Sequence, residues 1–162
     1  MRRTLEGRRY RGLRNVVIEQ HPGDLGQPLG EFLLSLKQRG DPFYREFLNP
    51  HGDEVYCSFR IEGALAAKKG LYCFCVGGDV MYIGRSHDPF EKRMNTGYGQ
   101  ISPKNCYLDG QSTNCHLNSI IEQERRPIQY FVCALEVDNS EIDKLETELL
   151  GHYQPPWNVK MK

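Results

Sequence analysis

Three absences narrow the field. The 162-residue chain has no net charge, with 21 basic and 21 acidic residues, so its overall field argues neither for nor against nucleic acid. No apolar run approaches the roughly 20 residues of a membrane span, and the Arg-rich N-terminus lacks the apolar centre of a signal peptide. No membrane role and a cytoplasmic location are the expectations. No Cys-x-x-Cys occurs among the six cysteines, and Cys106, Cys115 and His116 lack zinc-site spacing. Reduced thiols are therefore expected. There are no internal repeats or low-complexity tracts.

Charge is unevenly placed. Arg2, Arg3, Arg8, Arg9, Arg11 and Arg14 face only Glu6 in the first fourteen positions. Such a segment either tracks phosphates or is a solvated tail. Beyond it, Val16–Glu19 reads as a short strand and Pro28–Lys37 as a helix with Leu29, Phe32, Leu33 and Leu36 at helical spacing. Asp41-Pro42 caps a second helix through Phe47, and Glu54–Ile61 reads as a strand.

From Gly70 the pattern changes. Leu71–Val76 and Val80–Gly84 are β-prone runs around Gly77-Gly78-Asp79, which together predict a hairpin. Asp88-Pro89 and Glu91 predict a capped helix to about Thr96. Thr113 to about Arg125 predicts another helix, Ile128–Val137 a strand, and Ser140 caps the last helix with Asp143 completing a capping box.

That last helix carries the most informative residue. Ile142, Leu145, Leu149, Leu150 and Tyr153 form an apolar stripe, and Glu146 lies at its centre while Glu148 points to water. A buried carboxylate needs a cation, a partner or a raised pKa. Glu146 is thus a candidate metal ligand or catalytic group, or else a structural glutamate paired with an arginine.

Four separated stretches then fall into order: Gly70-Leu71-Tyr72, Tyr82-Ile83-Gly84, Arg93, and Glu146 followed by Pro155-Pro156-Trp157-Asn158. Together they resemble the GIY-YIG nuclease superfamily over about residues 68 to 160. The resemblance implies an α+β fold, a small three-stranded antiparallel sheet flanked by helices. The mainly helical N-terminal extension is expected to span 1–65 and the nuclease domain 66–162, with an insertion at about 97–126. It implies a divalent-metal-dependent endonuclease acting on DNA, with Tyr72, Tyr82, Arg93, Glu146 and Asn158 at the catalytic site. Glu146 would hold magnesium (Mg²⁺) or manganese (Mn²⁺).

Within that frame, Arg93 would contact the scissile phosphate, and Tyr72 would orient or deprotonate water if a nearby cation lowers its pKa. Tyr82 would support the same network. Asn158 is expected to brace the site rather than react. His87 is the other candidate base. Arg85, His87, Tyr98 and Lys104 are candidate phosphate or nucleic-acid contacts. Two departures stand out: Leu71 replaces isoleucine, and the Tyr82-to-Arg93 step is one residue longer than in many members, which makes Lys92 a competing assignment.

Side chains alternate across a sheet, so Tyr72 and Tyr82 can share a face only for certain turns. A three-residue Gly77-Gly78-Asp79 turn meets that condition and a two-residue turn does not. With four residues following Asn158, target recognition is expected from residues 1 to 65 and 97 to 126. This compactness resembles restriction-type members, for which a two-strand cut calls for a homodimer or sequential nicking. The alternatives are a structure-specific repair-type nuclease and a non-catalytic nucleic-acid-binding or adaptor protein that keeps the fold.

Overall fold

The computed structural model describes residues 1–158. The last four positions of the expected 66–162 domain lie outside the described residues. Two compact units are present, one formed by Met1–Glu54 with Ser102–Ser112, the other by Val55–Ile101 with the described residues from Thr113 on. The sequence reading had placed that division at 65 and treated 97–126 as one insertion.

In the first unit the helices are α1 (Arg2–Leu5), α2 (Arg14–Gln20), α3 (Leu29–Gln38) and α4 (Pro103–Cys106), with a 3₁₀ turn at Pro42–Phe47. Leu5, Tyr10, Val17, Phe32, Leu36 and Phe47 are buried together. The basic segment is thus folded, not a free tail: Leu5 and Tyr10 anchor it while its six arginines stay exposed. Val16–Glu19, expected as a strand, belongs to α2. Only Val17 of its β-branched residues is buried, so packing of one helical face outweighs local β preference. Asp41 caps the 3₁₀ turn by accepting from the Phe43 N–H at 3.0 Å, as its position before Pro42 suggests. Residues 102–112 join this unit through the Leu48–Tyr107 bridge, the Asn49 amide on the Asn105 carbonyl at 2.7 Å, and a Tyr10–Asp109 hydrogen bond.

The second unit is built on β1 (Gly70–Val76), β2 (Asp79–Ser86) and β3 (Ile128–Ala134), all antiparallel in the order β2-β1-β3. Helices α5 (Ser112–Gln123) and α6 (Asn139–Tyr153) flank it, together with a short helix whose Lys92–Tyr98 turn is π-helical. This α+β arrangement is the one the resemblance implies. Tyr72, Phe74, Val76, Phe90, Met94, Tyr98, Leu117 and Trp157 form its core.

The hairpin departs from expectation instructively. Its turn is the two-residue Gly77-Gly78, with φ of 61° and 93°, a left-handed pair that glycine adopts without strain. That turn alone would split the tyrosines between faces. A β-bulge restores the parity: Cys75 pairs with Val80 but Phe74 pairs with Tyr82, so Met81 is the extra residue. Tyr72 then lies opposite Gly84, on the same face as Tyr82. The Met81 carbonyl, on the outer side of β2, accepts from Trp157 N–H at 2.8 Å.

Glu54–Ile61 forms no strand. Side-chain amides take the place of a ladder: Asn118 bonds both the N–H and the carbonyl of Cys57, and Asn95 does the same for Ile61. Strand β3 stops at Ala134 rather than Val137, and α6 is capped by Asp138, whose carboxylate accepts from Glu141 N–H at 3.0 Å. The expected Ser140–Asp143 box does not form its N-terminus. On α6 only Ile142 is fully buried, and Tyr153, expected inward, is 55% exposed. All six cysteines are free thiols. Among the described residues no helix is long and apolar enough to cross a membrane.

Gly70 has a φ of 142°, and a Cβ there would overlap the Cys133 carbonyl of β3. Gly70→Ala should therefore lower stability by about 3 kcal/mol, from backbone strain plus overpacking. Urea unfolding is the measurement, with Gly12→Ala as control because a Cβ there meets nothing within 4 Å.

Candidate active site

Five chain segments meet in one cleft of the second unit. Tyr72, Tyr82, Arg85, His87, Arg93, Tyr98, Thr113 and Glu146 line a cavity of about 630 Å³. The sheet contributes the two tyrosines, whose rings stack with centroids 6.1 Å apart. Gly84 is small because the Tyr72 ring lies across it, and a Cβ at that position would overlap the phenol.

At the centre is the Tyr98 hydroxyl. Arg93 Nη2 donates to it at 2.7 Å and the Tyr72 hydroxyl at 3.1 Å. With both lone pairs occupied, Tyr98 turns its own proton toward the Tyr82 oxygen, 3.0 Å away. The π-helical turn makes this possible. Its wider repeat aligns residues five apart, which puts the Arg93 guanidinium 4.6 Å above the Tyr98 ring. An α-helix ending before Gly97, as the capping pattern suggests, would not bring Tyr98 there. The competing assignment also resolves, because Lys92 pairs with Asp88 at 3.0 Å while Arg93 enters the cleft.

Burial dominates the electrostatics of the phenols. It pushes Tyr72 well above the ordinary tyrosine value, and the neighbouring Tyr98 and Tyr82 phenols add to that, while Arg93 offsets only part. Tyr82 is also raised, by burial first and then Tyr98. Tyr72 can serve as a base only if a cation lowers its pKa; Arg93 acts in that direction, but in the free protein burial outweighs it. For Arg93, burial acts to lower the pKa, but Tyr98 and Tyr72 outweigh it and the guanidinium is held above its usual range. Its Nε is buried without a hydrogen-bond partner.

The acidic side of the cleft is an ion-pair chain. Glu146, 12% exposed at its side chain, is paired through Oε2 with Arg85 Nη1. Arg85 Nε reaches Asp143 Oδ1 at 2.6 Å, and the same oxygen accepts from His87 Nε2 at 2.6 Å. Asp143 was read from sequence as a helix cap, and its role here was missed. Its position three residues before Glu146, on the same helical face, was the available signal. His87, which the sequence left without a fixed partner, has one.

Asn158 bonds both backbone groups of Ile83, accepting from the N–H at 2.9 Å and donating to the carbonyl at 2.7 Å. It thereby holds β2 between Tyr82 and Gly84. Lys104 is not among the cleft-lining residues and belongs to α4 of the first unit.

Among the described residues no three His, Cys, Asp or Glu side chains gather as a metal site. A soft or multi-ligand cation is a poor fit. A hard divalent ion that keeps most of its waters fits a single carboxylate such as Glu146, with the remaining ligands from water and a phosphate.

No family model matches the chain, and no match was found among curated proteins. Among solved structures, the GIY-YIG N-terminal endonuclease domain of UvrC from Thermotoga maritima, a point mutant bound to its catalytic divalent cation, is similar at 18% identity. That likeness covers 59% of this chain and 88% of that one, with a TM-score of 0.37.

Because Tyr72 and Tyr82 keep their protons in the fold, the unfolded chain sheds protons above pH 10 that the native state retains. Their contribution to stability is complete below pH 10 and declines as pH rises past it. The urea midpoint should fall steadily above pH 10, and Tyr82→Phe should flatten that fall. An unchanged slope would mean that the phenols titrate normally.

Proposed function

We propose that the chain is a divalent-metal-dependent endonuclease of the GIY-YIG kind that hydrolyses DNA phosphodiester bonds. The observation that carries this reading is the convergence of Tyr72, Tyr82, Arg93 and Glu146, from four separated segments, on one cleft. Hydrolysis of a phosphodiester needs positive charge on the reacting phosphate, an oriented water and a base. Arg93 lines the cleft and supplies a permanent positive charge for phosphate oxygens. Tyr72 and Tyr82 act as neutral phenols that orient water and phosphate by hydrogen bonding.

The base falls to His87. A carboxylate only accepts, so the hydrogen bond to Asp143 fixes the proton on His87 Nε2 and leaves Nδ1 to take one from water. Asp143 is the positioning residue for that imidazole. Glu146 would hold Mg²⁺ or Mn²⁺. A divalent cation there supplies Lewis-acid stabilisation of the charge that builds on the phosphate and leaving oxygen. Asn158 acts through β2 by keeping Tyr82 in register.

Target contacts are assigned to the exposed arginines of residues 2–14, which suit a phosphate backbone, and to Lys104. A restriction-type, site-specific activity is the finer form of the proposal, with a homodimer or successive nicks for a two-strand cut. A structure-specific repair-type activity is its alternative. One observation favours a second reading, a non-catalytic nucleic-acid binder: Glu146 already has an ionic mate in Arg85.

Supercoiled plasmid incubated with Mg²⁺ or Mn²⁺ separates the two. The proposal expects nicking that Glu146→Ala or Arg93→Ala reduces by about 10²–10³-fold, the usual scale for loss of one transition-state stabiliser. Equal DNA binding by all three proteins with no nicking by any would establish the binder instead.

A further inference from the structure

Arg85 occupies one of the two oxygens with which Glu146 could hold a cation. Its Nη1 is paired with Glu146 Oε2, while its Nε is anchored on Asp143 Oδ1 at 2.6 Å. The guanidinium therefore has two attachments of different kinds, one to the candidate metal ligand and one to a neighbouring acid on the same helix. The second guanidinium of the cleft, Arg93, is committed to the Tyr98 hydroxyl. Neither charge is idle, and they are held by different groups.

We propose that Arg85 is an exchangeable counter-ion. In the free protein it masks Glu146, and on arrival of a phosphodiester it transfers its terminal nitrogens to a phosphate oxygen, so cation and nucleic acid load the cleft cooperatively. This rests on the metal and phosphate reading above.

The physical case is one of competition. A guanidinium and a divalent cation repel each other and cannot both sit against one carboxylate oxygen in a half-buried cleft. A phosphate offers the guanidinium an equivalent bidentate acceptor. With Nε held by Asp143, the planar guanidinium has only to pivot as a unit about that contact and does not have to leave the cleft. Coupling of this kind is reciprocal: whatever factor the phosphodiester adds to cation affinity, the cation adds to phosphodiester affinity. It would leave the resting protein with Glu146 neutralised, and no bound ion would be needed to keep the acid stable within the fold. The Arg85 side chain is 41% exposed, so shortening it opens no core cavity.

The test is direct Mn²⁺ binding to the full chain without nucleic acid, followed by electron paramagnetic resonance of the free ion. Wild type is compared with Arg85→Ala, Arg85→Gln and Glu146→Gln. Both Arg85 variants should bind Mn²⁺ about ten-fold tighter than wild type, a factor equal to about 1.4 kcal/mol. Glu146→Gln should lose the site. Dimethyl phosphate, a minimal phosphodiester, should tighten Mn²⁺ binding to wild type by a clearly larger factor than to Arg85→Ala, in which only direct ligation of the ion by phosphate remains. Equal or weaker Mn²⁺ affinity in the Arg85 variants, with Glu146→Gln still unable to bind, would overturn the masking role while the metal reading stands. Failure of all four proteins to bind Mn²⁺ would overturn both.

Discussion

The whole cleft depends on strand parity. In a β-strand, a shift of one residue carries every following side chain to the opposite face. The Gly77-Gly78 turn sets the wrong parity for Tyr72 and Tyr82, and the bulge at Met81 corrects it within a few residues. Without that extra residue Tyr82 would leave the face that Tyr72 shares with Tyr98, and the hydroxyl cluster would lose one of its three phenols. The bulge has its own support, since the Met81 carbonyl is bonded by Trp157 N–H. A local irregularity in the backbone is therefore what permits a regular arrangement of chemistry.

Two charge networks with contrasting character share the cleft. On one side, neutral phenols converge on Tyr98 and hold Arg93 by a hydrogen bond and by its position over the ring. Burial keeps those phenols protonated, so this side offers directional hydrogen bonds and a single positive charge. On the other side, Arg85, Asp143 and Glu146 form a chain of ion pairs nearer to water, with His87 hydrogen-bonded to Asp143. Rigid donors therefore face a set of charges able to rearrange. That division suits a reaction in which an anion must be held still while protons and counter-ions change places.

Much of the fold was legible because it follows from periodicity and punctuation. The hairpin, the third strand and the last two helices could be placed from alternation, caps and glycine breaks. The failures share one cause, which is tertiary context acting on short segments. Val16–Glu19 looks β-prone and is helical because only Val17 needs burial. Glu54–Ile61 looks like a strand and joins no ladder, because Asn95 and Asn118 supply the hydrogen bonds that a neighbouring strand would. At the site, the ordered motifs located Tyr72, Tyr82, Arg93 and Glu146. The parts that escaped depend on non-standard backbone: the π-helical turn that brings Tyr98 beneath Arg93, and the bulge that repairs the register. Asp143 escaped because a capping role accounted for it equally well at the level of sequence.

The pairing of Trp157 and Asn158 with β2 also bears on how this protein can meet another copy of itself. In a sheet ordered β2-β1-β3, the outer margin of β2 is already engaged at Met81 and Ile83 by its own chain. An open row of backbone donors and acceptors invites a foreign strand, and here one of the two margins is closed to such recruitment. Growth of the sheet by strand addition, productive or pathological, is thereby opposed at this margin of β2.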